Sequence, residues 1–327
     1  MRWREVHQWL GLLREAALPD GLSEAGAQAA LDLALDELNQ SSLGAAAEII
    51  GEPFANAVLV AAGTVFTAPI EWCAVLLGRG TAVTIKHSRS HPGFALAMAS
   101  AAKQVGLPLK ATSSKEAIAS GDIVIAMGSD ETIELIGNQL SPPSRFLGFG
   151  HRFSLAWIGT DDKPNWNNLA FDTAIHDGRG CMSPVALFTP LPLDVACAGL
   201  AAAMESAEAK WPLGAVAPGE SAAIRSREAL ARVTGTLLKG PGWSIHGLPA
   251  RYFSPMALPR SLAVYHLPNE AAAKKILTSR LKWLSTVGTD SPSASWFDAR
   301  VCPLGSMQRP PLIRLHDGQD WLRLTLL

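Results

Sequence analysis

Residues 57–88 read AVLVAAGTVFTAPIEWCAVLLGRGTAVTIKHS, and the order of residue types in this stretch decides the fold. The first seven residues form a continuous apolar run that stops at Gly63, the pattern of a strand buried on both faces. Residues 68–80 are long enough for a helix and end, as helices often do, at a glycine. Residues 81–88 return to a strand pattern. Strand, helix and strand in so short a span make a crossover unit, whose two strands run parallel in one sheet.

The alternation continues outward. Residues 92–108 read as a helix with Pro92 in its first turn and Gly106 near its end. A short helix over 113–122 precedes a buried strand at 123–129. The helix predicted over 130–140 opens with Asp130 and Glu131, acids that suit the positive end of its dipole. Together these segments predict an α/β protein built on a doubly wound parallel sheet. Such sheets bind ligands at the carboxyl ends of their strands, and here those handovers are residues 61–69, 86–92 and 127–132.

Ahead of the sheet, spacing of three and four predicts two helices between Trp3 and about Leu38, with Ser23 as the N-cap of the second. A second region begins near residue 146. It contains predicted helices over 193–210, 221–239 and 269–284, a strand at 260–267 and a C-terminal run at 299–318. Proline and glycine clusters at 212–219 and 240–259 mark loops. The chain is expected to divide into residues 1–160 and 161–327, with the C-terminal segment packing back at the interface.

Composition narrows the function. A formal net charge of −1 over 327 residues provides neither a basic field for nucleic acid nor an acidic one that would repel phosphorylated ligands. Any charged ligand must be met by local groups. The four cysteines, Cys73, Cys181, Cys197 and Cys302, lack both the CxxC spacing of a zinc site and the density of a disulfide scaffold, so reduced thiols in a cytoplasm are expected. The N-terminal residues lack a signal-peptide pattern, and the longest apolar stretch, 57–70, is too short and interrupted to span a bilayer. The sequence carries no HExxH, Walker loop or GxSxG elbow.

One segment stands apart chemically: residues 177–184, DGRGCMSP. Gly178 and Gly180 permit close backbone approach, Arg179 is cationic, and a helix starting nearby would favour the Cys181 thiolate. From the residues alone two readings stay open, a reactive thiolate and a glycine-rich turn carrying an incidental thiol.

This segment resembles the active-site motif of the LuxC-type fatty acyl-CoA reductases, members of the aldehyde dehydrogenase superfamily. Residues 61–88 are similar to that superfamily's strand, turn, helix and lysine-ended strand, residues 124–136 to its Gly-Ser cofactor loop, and residues 299–318 to the closing segment of the LuxC group. The resemblance implies an aldehyde-dehydrogenase-like fold of two Rossmann-like domains with a shortened N-terminal region. Residues 1–160 would bind the nicotinamide cofactor and 161–327 would carry the catalytic cysteine. Cys181 matches the nucleophile that attacks a thioester carbonyl and holds the acyl group until hydride arrives. Its backbone N–H matches half of the oxyanion hole.

The same resemblance places Thr64 where the superfamily has an oxyanion-binding asparagine. A threonine hydroxyl reaches less far, and losing one such donor costs roughly 3 to 4 kcal/mol of transition-state stabilisation. Lys86 matches the lysine facing the adenosine ribose, Ser88 the serine two positions on, and Gly128 with Ser129 the turn facing the pyrophosphate. Arg89, beside His91, adds positive charge suited to a 2′-phosphate, hence NADPH. Residues 146–154, FLGFGHRFS, lack the carboxylate with which aldehyde dehydrogenases activate water, which favours reduction of a thioester over release of a free acid. His151 occupies that segment and is a candidate proton carrier.

The implied activity is NADPH-dependent reduction of an acyl-CoA or acyl-carrier thioester to an aldehyde, in a cytoplasmic protein that relatives suggest is a homodimer. Two alternatives share the cysteine or the fold: an acyltransferase or thioesterase without hydride transfer, and a non-catalytic relative that binds an acyl group or cofactor.

Overall fold

The computed structural model describes all residues except 50, 89–91, 161–162, 292–295, 297 and 325–327. The chain forms two compact units. The first comprises Met1–Asp20, Ala30–His151 and Arg309–Leu327, the second Gly21–Ala29 and Arg152–Gln308. The seam lies after His151 and not at residue 160, because the strand that begins at Phe153 hydrogen-bonds entirely within the second sheet.

Helices α1 (Trp3–Leu13), α2 (Glu24–Asp36) and α3 (Gln40–Ile49) open the chain. The backbone N–H of Gly26 donates to Ser23 Oγ at 3.1 Å, so Ser23 caps α2 as expected. Helix α3 adds to the two helices expected here: its small residues, QSSLGAAAEI, carry too weak an apolar stripe to announce it. The first sheet then runs as β1 (Asn56–Val60), α4 (Ala68–Arg79), β2 (Ala82–Lys86), α5 (Pro92–Gln104), β3 (Leu109–Thr112), β4 (Ile123–Met127), α6 (Asp130–Gln139) and β5 (Arg145–Phe149). All five strands are parallel, in the order β3-β2-β1-β4-β5. Strand β4 is buried at every residue and β1 at four of five, which matches their unbroken apolar runs. Gly80 closes α4 at φ 103°, a conformation other residues resist.

Residues near the C-terminus belong to this unit. Helix α11 (Trp321–Leu324) sets Trp321 against Trp72 of α4 at 4.2 Å between ring centroids, and Arg314 pairs with Glu71 at 2.7 Å. Burial opposes ionisation of Glu71, but the Arg314 and His316 charges and the Arg314 hydrogen bond hold its carboxyl below the usual range.

The second unit runs β6 (Phe153–Trp157), α7 (Trp166–Ala174), β7 (Pro184–Thr189), α8 (Leu193–Lys210), α9 (Pro218–Thr234), β8 (Thr236–Lys239), β9 (Ser244–Gly247), β10 (Ser261–His266), α10 (Glu270–Leu277), β11 (Leu284–Thr289) and β12 (Arg300–Cys302). Its seven strands are ordered β12-β11-β6-β7-β10-β9-β8, with only β8 antiparallel to its neighbour. Alternate residues of β10 enter opposite layers: Ala263 and Tyr265 join Ala231 of α9 and Leu277 of α10, while Leu262 and Val264 join Leu169 of α7 and Leu200 of α8. The sheet is therefore covered on both faces. Two predicted helices are shorter than expected. The 221–239 segment turns into strand β8 after Gly235, and 269–284 tightens to a 3₁₀ turn at Thr278. Among the described residues no helix is long and apolar enough to cross a membrane.

Candidate active site

Cys181 lies in the loop between α7 and β7, at the amino end of the middle strand of the second sheet. The loop begins with a sharp reversal. His176 and Asp177 both adopt φ 54° and Gly178 φ 72°, three consecutive left-handed residues. A Cβ at Gly178 would stand 3.2 Å from both the Arg260 amide nitrogen and the Thr173 carbonyl oxygen, and at φ 72° a side chain there would be strained, which favours glycine. Arg179 N then donates to His176 O at 3.1 Å, and Ser183 N to Gly180 O at 2.9 Å. These two turns carry Cys181 to the surface.

Cys181 is exposed, whereas Cys73, Cys197 and Cys302 are buried. Burial pushes the Cys197 and Cys302 thiols up to about 11 and Cys73 higher still, which leaves all three as inert core residues. The carbonyl of Cys181 accepts a hydrogen bond from Ser154 Oγ at 2.7 Å, and that hydroxyl accepts in turn from Thr286 N at 3.1 Å. On the other side Gln308 Nε2 donates to Ser183 Oγ at 3.0 Å and to Asp172 O at 3.1 Å. The peptide chain around the thiol is thus fastened to β6, β11, α7 and the loop that ends at Gln308.

Two features expected to ionise the thiol act otherwise. Arg179 donates through Nε and one terminal nitrogen to both carboxylate oxygens of Glu220, at 2.7 and 2.9 Å, and through the other to Asp177 at 3.1 Å. Burial would lower the Arg179 pKa, but these two carboxylates raise it, and its charge is spent on them. The element after Cys181 is strand β7 and not a helix N-terminus. Exposure and backbone placement distinguish this thiol.

The remaining described candidates all belong to the first unit, where the topology gathers them at the carboxyl ends of its strands. Thr64 is exposed in the turn after β1. Lys86 is the half-buried last residue of β2, and Ser88 comes two positions later. Gly128 and Ser129 come after β4, and His151 after β5. Strands β1 and β4 are neighbours although two strands separate them in sequence, so Thr64 and the Gly128–Ser129 turn flank the topological switch point, where open α/β sheets bind ligands. Between the ends of β1 and β2 lies a small cleft lined by Ala61, Phe66, Pro69, Phe94 and Met98 with Ser88 and His87 at its polar side. Arg89 lies outside the described residues.

At the α6 terminus the geometry differs from a simple ring of unused amides. Gly128 N donates to Phe149 O at 3.2 Å, while Ser129 Oγ accepts from Thr132 N at 3.3 Å and caps the helix. His151 is exposed, and its backbone N–H donates to Asp130 Oδ1 at 2.7 Å. Sequence reading misses Ser154, Asp172, Arg260 and Gln308. Asp172 alone carries a signal, an acid inside the apolar segment LAFDTAI at 169–175.

The family model for the acyl-CoA reductases of LuxC type matches residues 61–324. The chain belongs to the LuxC acyl-CoA reductase family. No curated protein matches the sequence. Among solved structures, a NAD-dependent benzaldehyde dehydrogenase from Corynebacterium glutamicum superposes with a TM-score of 0.67 at 14% identity, covering 94% of this chain and 79% of its own. Succinic semialdehyde dehydrogenase from Streptococcus pyogenes, solved with NADP+, gives 0.69 at 15% identity over 93% and 81%. An oxidoreductase from Marinobacter aquaeolei gives 0.73 at 12% identity over 90% and 74%. At such identities the likeness carries the fold alone, and that fold is the aldehyde dehydrogenase one. The LuxC assignment makes the chain an enzyme of acyl-CoA reduction and gives it an acyl substrate.

Proposed function

We propose that this reductase works through a covalent acyl-cysteine at Cys181 and draws its hydride from NADPH. The observation that carries the reading is the contrast among the four thiols: three are buried, and the fourth is presented at the surface by two consecutive turns. The Cys181 sulfur attacks the thioester carbonyl carbon, a new carbon–sulfur bond forms, and the bond to the CoA sulfur breaks. The departing thiolate takes up a proton, for which His151 is the candidate donor. A bound nicotinamide supplies the hydride. With that hydride on the acyl carbon, the bond to Cys181 would break, releasing aldehyde and returning the sulfur to its thiolate.

The switch point of the first unit supports a dinucleotide site, in which Lys86 and Ser88 at the end of β2 would hold the ribose. Gly128 and Ser129 would line the pyrophosphate, and Arg89 would meet a 2′-phosphate. Thr64 would supply an oxyanion donor through its hydroxyl or through its turn's backbone. The lack of a carboxylate over 146–154 supports holding the acyl group against water until reduction.

Intact-mass spectrometry after exposure to acyl-CoAs of graded length tests the reading. The wild type should gain one acyl mass without NADPH and lose it when NADPH is added. Cys181→Ala should gain none while still binding NADPH. A folded wild type that never gains acyl mass would remove Cys181 from the chemistry.

A further inference from the structure

We infer that Arg260 is a positioning residue for Cys181, holding the left-handed turn at 176–178 through Asp177 and so fixing where the nucleophile's sulfur and amide point. This rests on the reading of Cys181 as the nucleophile. Four non-glycine residues among those described have positive φ, and three of them, His176, Asp177 and Arg260, meet at this junction. Strained backbone persists only where surroundings over-determine it. Here the surroundings are largely one side chain.

The Arg260 side chain has no solvent exposure. Its terminal nitrogens contact Asp177 Oδ1 at 2.7 Å, Glu208 Oε2 at 2.7 Å, the carbonyl oxygens of Ala174 and Pro212 at 3.3 Å each, and the Trp211 carbonyl. Its backbone N–H donates to the Asp177 carbonyl at 3.1 Å. Arg260 thereby ties the last residue of α7, the reversal, and the end of α8 to the start of β10. Asp177 passes the restraint on: its Oδ2 accepts from Arg179 at 3.1 Å and from Gly214 N at 3.2 Å. Arg179 lies two residues before Cys181. The cluster holds three carboxylates against two guanidiniums, Asp177 and Glu208 facing Arg260 while Asp177 and Glu220 face Arg179, so neither cation is left to stabilise a thiolate. Its effect on Cys181 is therefore one of position.

The test uses the full chain with Arg260→Met, Arg260→Lys and Asp177→Asn. Displacement of a reacting atom by about an ångström costs on the order of 100-fold in rate. In Arg260→Met, acylation of Cys181 should slow by about that factor while KM for acyl-CoA changes by no more than about threefold, and Arg260→Lys should recover part of the rate. Iodoacetamide alkylation of Cys181 against pH should keep its midpoint, because that reagent needs only an exposed ionised sulfur. Hydrogen exchange should quicken across 175–183. Should Arg260→Met fail to fold, Asp177→Asn removes the ion pair to the turn while leaving Arg260 paired with Glu208, and it carries the same expectations in direction. Wild-type turnover in a folded variant overturns the inference, as does a shifted alkylation midpoint, which would make Arg260 an electrostatic group. If the wild type never gains acyl mass, the catalytic reading of Cys181 falls on its own, and the exchange result alone then decides whether the Arg260 side chain holds the turn.

Discussion

Asp172 shows what a single residue does in this fold. It has no exposed surface, and burial pushes its carboxyl up to about 7, opposed by the N–H groups of Gly305, Met307 and Gln308 and by the Arg300 charge. In the unfolded chain the same group titrates near about 3.9, so between those values the folded protein binds the extra proton. Its contribution to stability is therefore greatest at and below about pH 4 and declines as pH rises toward about 7. The stability of the wild type relative to Asp172→Asn should fall by about 4 kcal/mol across that window in urea titrations; a flat difference would mean that the carboxyl is ionised throughout. Ser154 makes a second case. Ser154→Ala strands the Cys181 carbonyl and the Thr286 N–H, at a cost of about 1 to 3 kcal/mol in unfolding free energy. Cys181 stood out as a candidate because glycines near a cysteine make a local pattern. Ser154 and Arg260 were not, because Cys181 lies 27 positions from the one and Ala174 lies 86 from the other, and ordinary serines and arginines carry no local mark.

Among the elements, α6 links fold to site most directly. Its N-cap Ser129 is also the residue expected to meet a pyrophosphate, and its hydroxyl bonds both the Thr132 amide and the Thr132 hydroxyl. Ser129→Ala should cost about 1 kcal/mol by chemical denaturation. If the proposed site is correct, it should also weaken NADPH binding, and unchanged cofactor affinity would remove Ser129 from that site. The elements read correctly are those with strong period or clear punctuation: β1, β4, α4 with Gly80, and α8, whose bounds match those expected. Those missed are short or mixed. Strand β3 has four residues and a single buried one, and α9 gives way to β8 through Gly235, a change of period within one polar stretch.

At the scale of the whole chain, residues far apart in sequence complete the first unit. Trp321 is fully buried against Trp72, and Arg314 reaches Glu71 across 243 positions. Trp321→Ala should remove about 3 to 5 kcal/mol of stability. Thermal melting should show the loss, and an unchanged melting temperature would show that the C-terminal segment adds nothing to this unit. The sequence by itself determined the parallel α/β class and the family, and singled out Cys181 as the candidate, since apolar period and glycine punctuation act over a few neighbouring residues. Only the tertiary structure decided that Arg179 is neutralised, that the thiol sits at the amino end of a central strand, and that a buried arginine clamps the turn before it. Those facts depend on which distant groups share one low-dielectric interior, and burial, charge pairing and left-handed backbone arise only when the chain has closed around them.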